Sequence, residues 1–406
     1  MNRRLASVPT VARAAFFSNG FVLAVVALGI VRFVTNPHAL ADGDVGGDFR
    51  GFYDAGTLVR RGESAHLYDP LVALMSRGGS RPVFMHPPVV AALFAPLSAL
   101  PYGAALVVFW LLSLACLAAA CAIAFRELET TKTPRAVGLA LRFAPMTYAF
   151  AYGQLTPILL VPLAMFVVSL RRSRDVTAGA WLGVLALKPQ MAAGLGLYLL
   201  LQRRYRAAIA SLASGALVTA SSVLFFREAS RRFAEISART FAWSRTVGAR
   251  PWAEIGFFRL GSNALDPWSP PAGTVLGVAL ALAGLAWLVA LSMRRHPVGS
   301  RAWDLSLAAV VPVSLFLSPY LFHYDAGLLF LSFLLVERHL RRAPLEPARS
   351  YFTDERVSLA AFAACFCLAV GPGLSELLHD RLASPLGLVP ATLAVLWTVR
   401  EVAAAI

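Results

Sequence analysis

Charged residues are scarce in this chain of 406 residues: Asp, Glu, Lys and Arg make up 15% of it, whereas soluble domains carry about 25%. Acidic residues are the scarcer group, with 22 against 37 basic residues, and the formal net charge is +15. Together with 58% hydrophobic residues, this composition excludes an ordinary soluble domain and predicts a polytopic membrane protein. Arginine is concentrated in short runs beside apolar stretches, which is typical of cytoplasmic loops facing anionic lipid, and no nucleic-acid partner is expected.

Cysteine is also rare, and no sequence repeat is visible. All four cysteines lie within apolar runs, where a thiol behaves as a small hydrophobe, and their spacing matches neither a disulfide framework nor a zinc site. No repeat of about 20 to 50 residues and no low-complexity linker divides the chain. We therefore predict one integral membrane domain over residues 1–406.

Long and short apolar runs recur along the whole sequence. They are continuous rather than alternating, which favours helices over a β-barrel and predicts an all-α membrane fold. Several runs are shorter than the roughly 20 residues that span a bilayer, so we expect about 10 to 12 transmembrane helices, with some runs broken or re-entrant. The first run, residues 14–34, follows Arg3, Arg4 and Arg13 and is predicted to be a retained anchor rather than a cleaved signal peptide.

Basic clusters give the predicted orientation in the membrane, because positive charge favours the cytoplasmic side. The clusters are Arg171/Arg172/Arg174, Arg203/Arg204/Arg206, Arg294/Arg295/Arg301 and Arg338/Arg341/Arg342. With these on the inside, four segments face outward: residues 36–85, 187–191, 227–271 and 318–325. The number of crossings between residues 85 and 153 stays open, since the loop at 126–135 balances acidic and basic residues.

The outward segment 227–271 breaks the charge rule, because it is rich in arginine. Long loops can cross the membrane largely regardless of their charge. The segment is consistent with a solvated amphipathic helix, and equally with a surface that holds lipid phosphates, since arginine forks match phosphate geometry.

An acidic, glycine-rich stretch, GGDFRGFYDAG at residues 46–56, lies on the predicted outer face. Its aspartates and glycines fit a soluble cap with ordinary turns. The aromatic residues that follow fit a helix lying in the membrane interface. Both interpretations leave Asp48 as a carboxylate just outside the bilayer.

Polar residues interrupt the apolar runs at four further places. His86 precedes a proline pair that suits the first turn of a helix, and Gly153 with Gln154 breaks the backbone between two apolar runs. Lys188 stands between two short apolar segments, where it either snorkels to the interface or is functional. His323 follows a Ser-Pro break. A lone histidine is more often structural, so each of these signals is weak by itself.

The predicted orientation places Asp48, Lys188 and His323 on one side of the membrane. A carboxylate base beside cationic groups is suited to transfer from a lipid-phosphate donor. A polytopic transporter or lipid flippase is the alternative from another class, and a non-catalytic membrane scaffold is a third. A transporter predicts inverted halves with a polar break in each, whereas the polar residues here crowd one face.

A series of motifs resembles glycosyltransferase family 87, in order over residues 14–340. The motifs are Asp48-x4-Tyr53-x-Ala55-Gly56, Gly62-x5-Tyr68-Asp69, Pro87-Pro88 with Pro96-Leu97, Gly153-Gln154, Lys188-Pro189, and Ser318-Pro319 with His323. The chain departs from the family pattern in having His86 before the proline pair and Thr156 after the glutamine; both departures concern the sugar and acceptor rather than the fold.

The resemblance implies a GT-C-type fold and an inverting hexosyltransferase. Such an enzyme moves a sugar, with mannose expected, from a polyprenyl-phosphate donor to a lipid or glycan acceptor. Asp48 matches the catalytic aspartate of the first outer loop and is expected to be the general base. The expected substrate-binding residues are His86, Gln154, Lys188, His323, Tyr53 and Tyr68, together with an arginine of the 227–259 region for the phosphate.

No cofactor is expected from the resemblance. Asp42, Asp44 and Asp48 are hard-cation ligands by chemistry, but the family resembled generally acts without a metal, and none is expected here. The expected location is the bacterial plasma membrane, with many spans among membrane lipids and the active site facing outward.

Overall fold

The computed structural model describes residues 46–77, 82–243, 253–266, 268–342, 389–404 and parts of 356–371. The predicted anchor at residues 14–34 lies outside the described residues, as do Asp42 and Asp44. The expectations for these parts of the chain therefore stay predictions.

The described chain is almost entirely helical. The helices are α1 (Gly47–Arg60), α2 (Asp69–Arg77), α3 (Pro88–Phe94), α4 (Tyr102–Leu128), α5 (Thr133–Ala140), α6 (Ala144–Tyr152), α7 (Thr156–Arg171), α8 (Asp175–Val184), α9 (Ala193–Leu201), α10 (Tyr205–Phe225), α11 (Arg227–Trp243), α12 (Phe257–Leu265), α13 (Pro270–Met293), α14 (Arg301–Phe316), α15 (Phe330–Arg342) and α16 (Val389–Ala404). Short 3-10 helices lie at Ser64–His66, Leu97–Ala99, Leu185–Leu187, Pro189–Met191 and Asp325–Leu329. Two strands, β1 (Glu254–Ile255) and β2 (Leu321–Phe322), pair antiparallel. The predicted all-α class is confirmed.

Three of the described helices, α4, α10 and α13, are long and apolar enough to cross a membrane. Shorter apolar helices accompany them, at Thr156–Arg171, Asp175–Leu187 and Pro189–Leu201. The break between the last two occurs at Lys188, where the backbone leaves the helical conformation, as the short apolar runs predict. The expected total of 10 to 12 spans stays a prediction.

Proline begins many of these helices. It occupies the first turn of α3, α5, α6, α7 and α13, where a residue without an N–H leaves no backbone hydrogen bond unmade. Serine caps two more starts: the Ser269 hydroxyl accepts from the Ala272 amide and the Ser300 hydroxyl from the Trp303 amide. Local sequence thus determines where the helices begin.

Small residues allow neighbouring helices to pack closely. Gly179 on α8 faces α10, and a Cβ atom at this position would lie 2.0 Å from the carbonyl oxygen of Ala207. Gly183, one turn further along α8, would meet the Cβ atom of Ser214 at 2.4 Å. Membrane helices associate through such small-residue faces, because lipid provides no hydrophobic drive for larger contacts.

One end of the helix bundle is defined by arginine ion pairs. Arg171 and Arg338 both pair with the buried Asp304, Arg204 pairs with Asp175 and Arg172 with Glu127. We call this the arginine end. Helix α7 runs from Thr156 to Arg171, about 24 Å at the usual rise, so its first residue lies at the opposite end.

The route of the chain between residues 85 and 153 is visible in the structure. Helix α4 starts beside α1, with the Tyr102 ring centroid 5.6 Å from that of Phe49. It ends at the arginine end, where Glu127 pairs with Arg172. Helices α5 and α6 together return to α1, which Gly153 contacts. Residues 85 and 153 therefore lie at the same end of the helix bundle. The balanced charges of the loop at 126–135 left this point open.

The close approach of α8 and α10 predicts that Gly179→Ala destabilises the protein. The added methyl group overlaps the backbone of α10, and overpacking of this kind costs about 1–3 kcal/mol. Gly196→Ala is the matched control, because a Cβ atom at Gly196 in α9 would meet no atom within 4 Å. Thermal unfolding in detergent should show a lower midpoint for Gly179→Ala; equal midpoints for the two variants would contradict the packing.

Candidate active site

Asp48 lies in the first turn of α1, the helix formed by the acidic stretch. The neighbouring Phe49 is buried, with ring centroids 5.1 Å from Phe109 and 6.1 Å from Phe94. Phe49, Phe52 and Gly56 recur at helical spacing and face the core. Helix α1 is thus packed against α3 and α4 as part of the bundle, which distinguishes it from a detached soluble cap.

Gly153 brings the end of α6 against α1. It has a φ of 68°, the left-handed conformation that favours glycine at a helix end. A Cβ atom here would lie 2.4 Å from the Cβ atom of Phe49, so no other residue fits this approach. The next residue, Gln154, is buried, and its Nε2 atom donates to Asp48 Oδ2 at 2.5 Å.

Lys188 and Asp325 form a buried ion pair next to Gln154. Lys188 Nζ lies 2.7 Å from Asp325 Oδ1 and 3.2 Å from Gln154 Oε1. Thr156 Oγ1 donates to the same Asp325 oxygen at 3.2 Å. Lys188 is only 5% exposed, so it points into the protein and does not snorkel to the bilayer surface. The predicted break in the apolar runs therefore places a charge inside the site.

An aromatic wall lines the site beside these polar groups. The His323 ring packs edge-on against Tyr148 and Tyr152, with centroids 4.9 and 5.9 Å away. The His323 amide donates to the Ala253 carbonyl at 3.0 Å, which continues the pairing of β1 with β2. The Tyr324 hydroxyl acts to lower the pKa of Asp48, and Lys188 Nζ lies 5.5 Å from the Tyr324 ring centroid, within the range of a cation–π contact.

The electrostatics of the site are set by burial. Protein atoms surround Asp48, although part of its surface stays accessible. Burial raises the pKa of Asp48 above that of an ordinary aspartate, and Asp325 adds to the rise, while the hydrogen bond from Gln154, the charge of Lys188 and the Tyr324 hydroxyl oppose it. Burial, with a further contribution from Lys188, holds the pKa of His86 well below its usual value, so His86 is neutral at pH 7.

Tyr53 and Tyr68, two of the predicted site residues, direct their hydroxyls to backbone carbonyls. Tyr53 donates to Leu100 O at 2.8 Å and Tyr68 to His86 O at 2.7 Å. Tyr68 therefore holds the segment that carries His86, and the His86 ring lies 4.9 Å from the Phe52 ring. The structure brings Asp48, Gln154 and Lys188 together and places His86 and His323 around them, with Tyr53 and Tyr68 behind. A substrate-binding role for these residues stays a prediction.

Three described arginines of the 227–259 region, Arg231, Arg232 and Arg259, pair with carboxylates. Arg231 on α11 pairs with Glu228 and Glu235, and Arg232 pairs with Glu228 and Asp69. These contacts favour the interpretation of α11 as a solvated amphipathic helix.

Arg259 is 1% exposed and pairs with Glu254 on β1, a residue that is 2% exposed. The pair lies near Asp325, whose charge acts on Glu254. A guanidinium in this position balances buried carboxylates at the back of the site.

Sequence reasoning missed several residues of this cluster as site residues, namely Tyr324, Asp325, Thr156 and Glu254, and it included Arg259 only among the arginines of the 227–259 region. Tyr324 and Asp325 directly follow His323, so an ionisable pair in a broken apolar run was the signal available. Within the described residues, no group of three or more His, Cys, Asp or Glu is arranged to hold a metal.

Comparison with protein families identifies the class of protein. The profile of Glycosyltransferase family 87 matches residues 84–319, more than half of the chain. The protein is therefore a membrane glycosyltransferase. It belongs to Glycosyltransferase family 87, which confirms the resemblance seen in the sequence. Neither the comparison with curated proteins nor that with solved structures gives a match.

The matched region covers only part of the site. It includes His86, Gln154 and Lys188, and it ends before His323 and begins after Asp48. The hydrogen bonds described above join the matched core to these flanking segments.

The junction of α6 with α1 predicts that Gly153→Ala disrupts the site. The added methyl group must displace Phe49, and alanine must adopt a strained backbone conformation at this position. The displacement separates Gln154 from Asp48. We expect loss of most glycosyl transfer and a lower unfolding midpoint than for Gly138→Ala, the control in α5, where a Cβ atom would meet nothing within 4 Å. Wild-type activity in Gly153→Ala would show that this close contact is dispensable.

Proposed function

We propose that the protein transfers a sugar, mannose, from a polyprenyl-phosphate donor to a lipid or glycan acceptor, with Asp48 as the general base. The observation that carries the proposal is the placement of Asp48. Its carboxylate is partly accessible, is held by Gln154, and lies one side chain away from the buried cation Lys188. A glycosyltransferase needs these two functions close together: a base for the nucleophile and positive charge for a leaving phosphate.

The proposed reaction is a single displacement at the anomeric carbon. An acceptor hydroxyl attacks this carbon while Asp48 takes the hydroxyl proton. The bond from the anomeric carbon to the phosphate oxygen breaks, its electron pair stays on the oxygen, and polyprenyl phosphate leaves. Attack opposite to the leaving group inverts the configuration. Phosphate needs no proton to leave once its charge is held, so a single carboxylate suffices as acid–base group.

Three side chains around Asp48 are the proposed contacts to donor and acceptor. Lys188 contributes positive charge near the leaving phosphate, and His323 is a hydrogen-bond partner for it. His86 is neutral and therefore suits hydrogen bonds to sugar or acceptor hydroxyls. The aromatic rings beside His323 offer a flat surface for a sugar.

The proposed location of the site is the extracytoplasmic side of a bacterial plasma membrane. The arginine end carries the basic clusters and is assigned to the cytoplasm by the charge rule. Asp48 lies at the opposite end of α7 and so faces outward in this orientation. The apolar faces of α4, α10 and α13 are exposed in the structure and suit contact with membrane lipids and the polyprenyl chain.

The role of Asp48 predicts that Asp48→Asn loses about 10²- to 10⁴-fold in transfer rate, the usual contribution of a general base. Asp54→Asn is the matched control: it lies on the same helix, is exposed and pairs with Arg50. Membranes containing each variant would be given radiolabelled polyprenyl-phosphate mannose, and glycolipid product would be counted. Equal product from Asp48→Asn and wild type would show that another group is the base.

The raised pKa of Asp48 predicts the pH dependence of kcat/KM. Asp48 accepts a proton only when ionised, so the rate falls as the pH drops through its pKa. Because burial raises this pKa, the acidic limb should lie above about 3.9, the value of an ordinary aspartate. Samples returned to neutral pH must recover activity, which separates titration from unfolding. An acidic limb at or below the ordinary value would contradict the burial of the base.

A further inference from the structure

We propose that Lys188, anchored by Asp325, is a positioning residue that sets the orientation of the Gln154 amide and thereby holds the carboxylate of Asp48. The inference rests on the proposed function of Asp48 as the base. Lys188 then has two proposed tasks. It supplies positive charge for the leaving phosphate, and it orients the Gln154 amide.

The two ends of the Gln154 amide differ in hydrogen bonding: its oxygen accepts and its NH2 group donates. An ammonium group only donates hydrogen bonds, and an ionised carboxylate only accepts them. Gln154 bridges one of each: Oε1 accepts from Lys188 at 3.2 Å and Nε2 donates to Asp48 at 2.5 Å. Rotating the amide by half a turn would set its NH2 group against the ammonium and its oxygen against the carboxylate. Lys188 therefore selects the orientation in which Gln154 serves Asp48.

Asp325 keeps Lys188 in place for this task. Its Oδ1 atom accepts from Lys188 at 2.7 Å and from Thr156 at 3.2 Å. Lys188 and Asp325 are 5% and 2% exposed, so water offers little competition. The chain of contacts joins three separate parts of the fold: the break after α8, the junction of α6 with α7, and the 3-10 helix Asp325–Leu329.

The contacts leave Asp48 able to act as a base. An ionised carboxylate has about four acceptor positions. Gln154 occupies one of them on Oδ2, which leaves room for an acceptor hydroxyl. Hydrogen bonds to the ionised form favour that form. The charged groups that act on Asp48 are Lys188 and Asp325, and Glu254 with Arg259 lies behind Asp325.

The positioning role and the phosphate role of Lys188 have different kinetic signatures. If Lys188 only binds the phosphate, its loss raises the donor KM, and the loss of its charge moves the acidic limb equally whether Gln154 is present or replaced. If Lys188 orients Gln154, its loss also lowers kcat and moves the acidic limb further to higher pH when Gln154 is present, because Asp48 then loses the hydrogen bond that favours its ionised form as well.

The test is a double-mutant cycle with Lys188→Met, Gln154→Ala and the double variant, each assayed for kcat, donor KM and pH profile. We expect each single variant to lower kcat by roughly 10- to 100-fold, the usual cost of a misplaced catalytic group, and to raise the acidic limb. In kcat the double variant should resemble Gln154→Ala, because the positioning task acts through the amide, and the limb shift caused by losing Lys188 should be smaller without Gln154 than with it. Additive losses of kcat, or the same limb shift with and without Gln154, would overturn the positioning role.

A second variant keeps the proposal testable if Lys188→Met fails to fold. Gln154→Glu retains an acceptor for Lys188 and preserves the ion pair with Asp325, but it replaces the donor to Asp48 by a like charge. We expect the acidic limb to rise by about one pH unit or more, with donor KM unchanged; an unmoved limb with wild-type kcat would overturn the proposal. Asp48→Asn in the same assay separates the positioning role of Lys188 from the proposed role of Asp48. Full activity of Asp48→Asn would show that Asp48 is not the base.

Discussion

The hydrogen bond between the Gln154 amide and the Asp48 carboxylate is the contact on which the proposed active site depends. It joins α1, the first described helix, to the junction of α6 and α7. The approach is possible only because Gly153 ends α6 without a side chain against Phe49. Burying polar groups this deeply costs free energy unless each has a hydrogen-bond partner. Loss of one contact in this cluster therefore weakens the others.

The two ends of the bundle carry different polar groups. The arginine end carries ion pairs centred on Asp304, which balance part of the basic clusters there. The opposite end holds the partly accessible carboxylate and its buried partners. Between them, α7 and α14, which is buried from Trp303 to Phe316, supply the apolar interior, and glycine contacts such as Gly179 on α10 bring the helices together. This separation gives a membrane glycosyltransferase a polar cluster at one end of a scaffold that is otherwise largely apolar.

Much of this arrangement could be predicted from the sequence, because apolar runs and their interruptions are local signals. The helical class followed from continuous runs, and Asp48, Gln154 and Lys188 were found as polar breaks that converge in the structure. The partners of these residues could not be predicted, because they are far away in sequence: Lys188 and Asp325 are 137 positions apart. The same holds for Arg259, whose buried pairing with Glu254 depends on where β1 lies, and for the sidedness of the segment after residue 85, where charge gives no signal.

The central claim is that an acceptor hydroxyl meets Asp48 while the donor phosphate lies on the side of Lys188 and His323. The most direct measurement is a structure of the protein with a non-transferable polyprenyl-phosphonate sugar and an acceptor bound. The account predicts the acceptor hydroxyl at about 2.6–3.2 Å from an Asp48 oxygen, opposite the phosphonate across the anomeric carbon. A sugar bound elsewhere in the bundle, or a phosphonate placed against Asp48 itself, would contradict it.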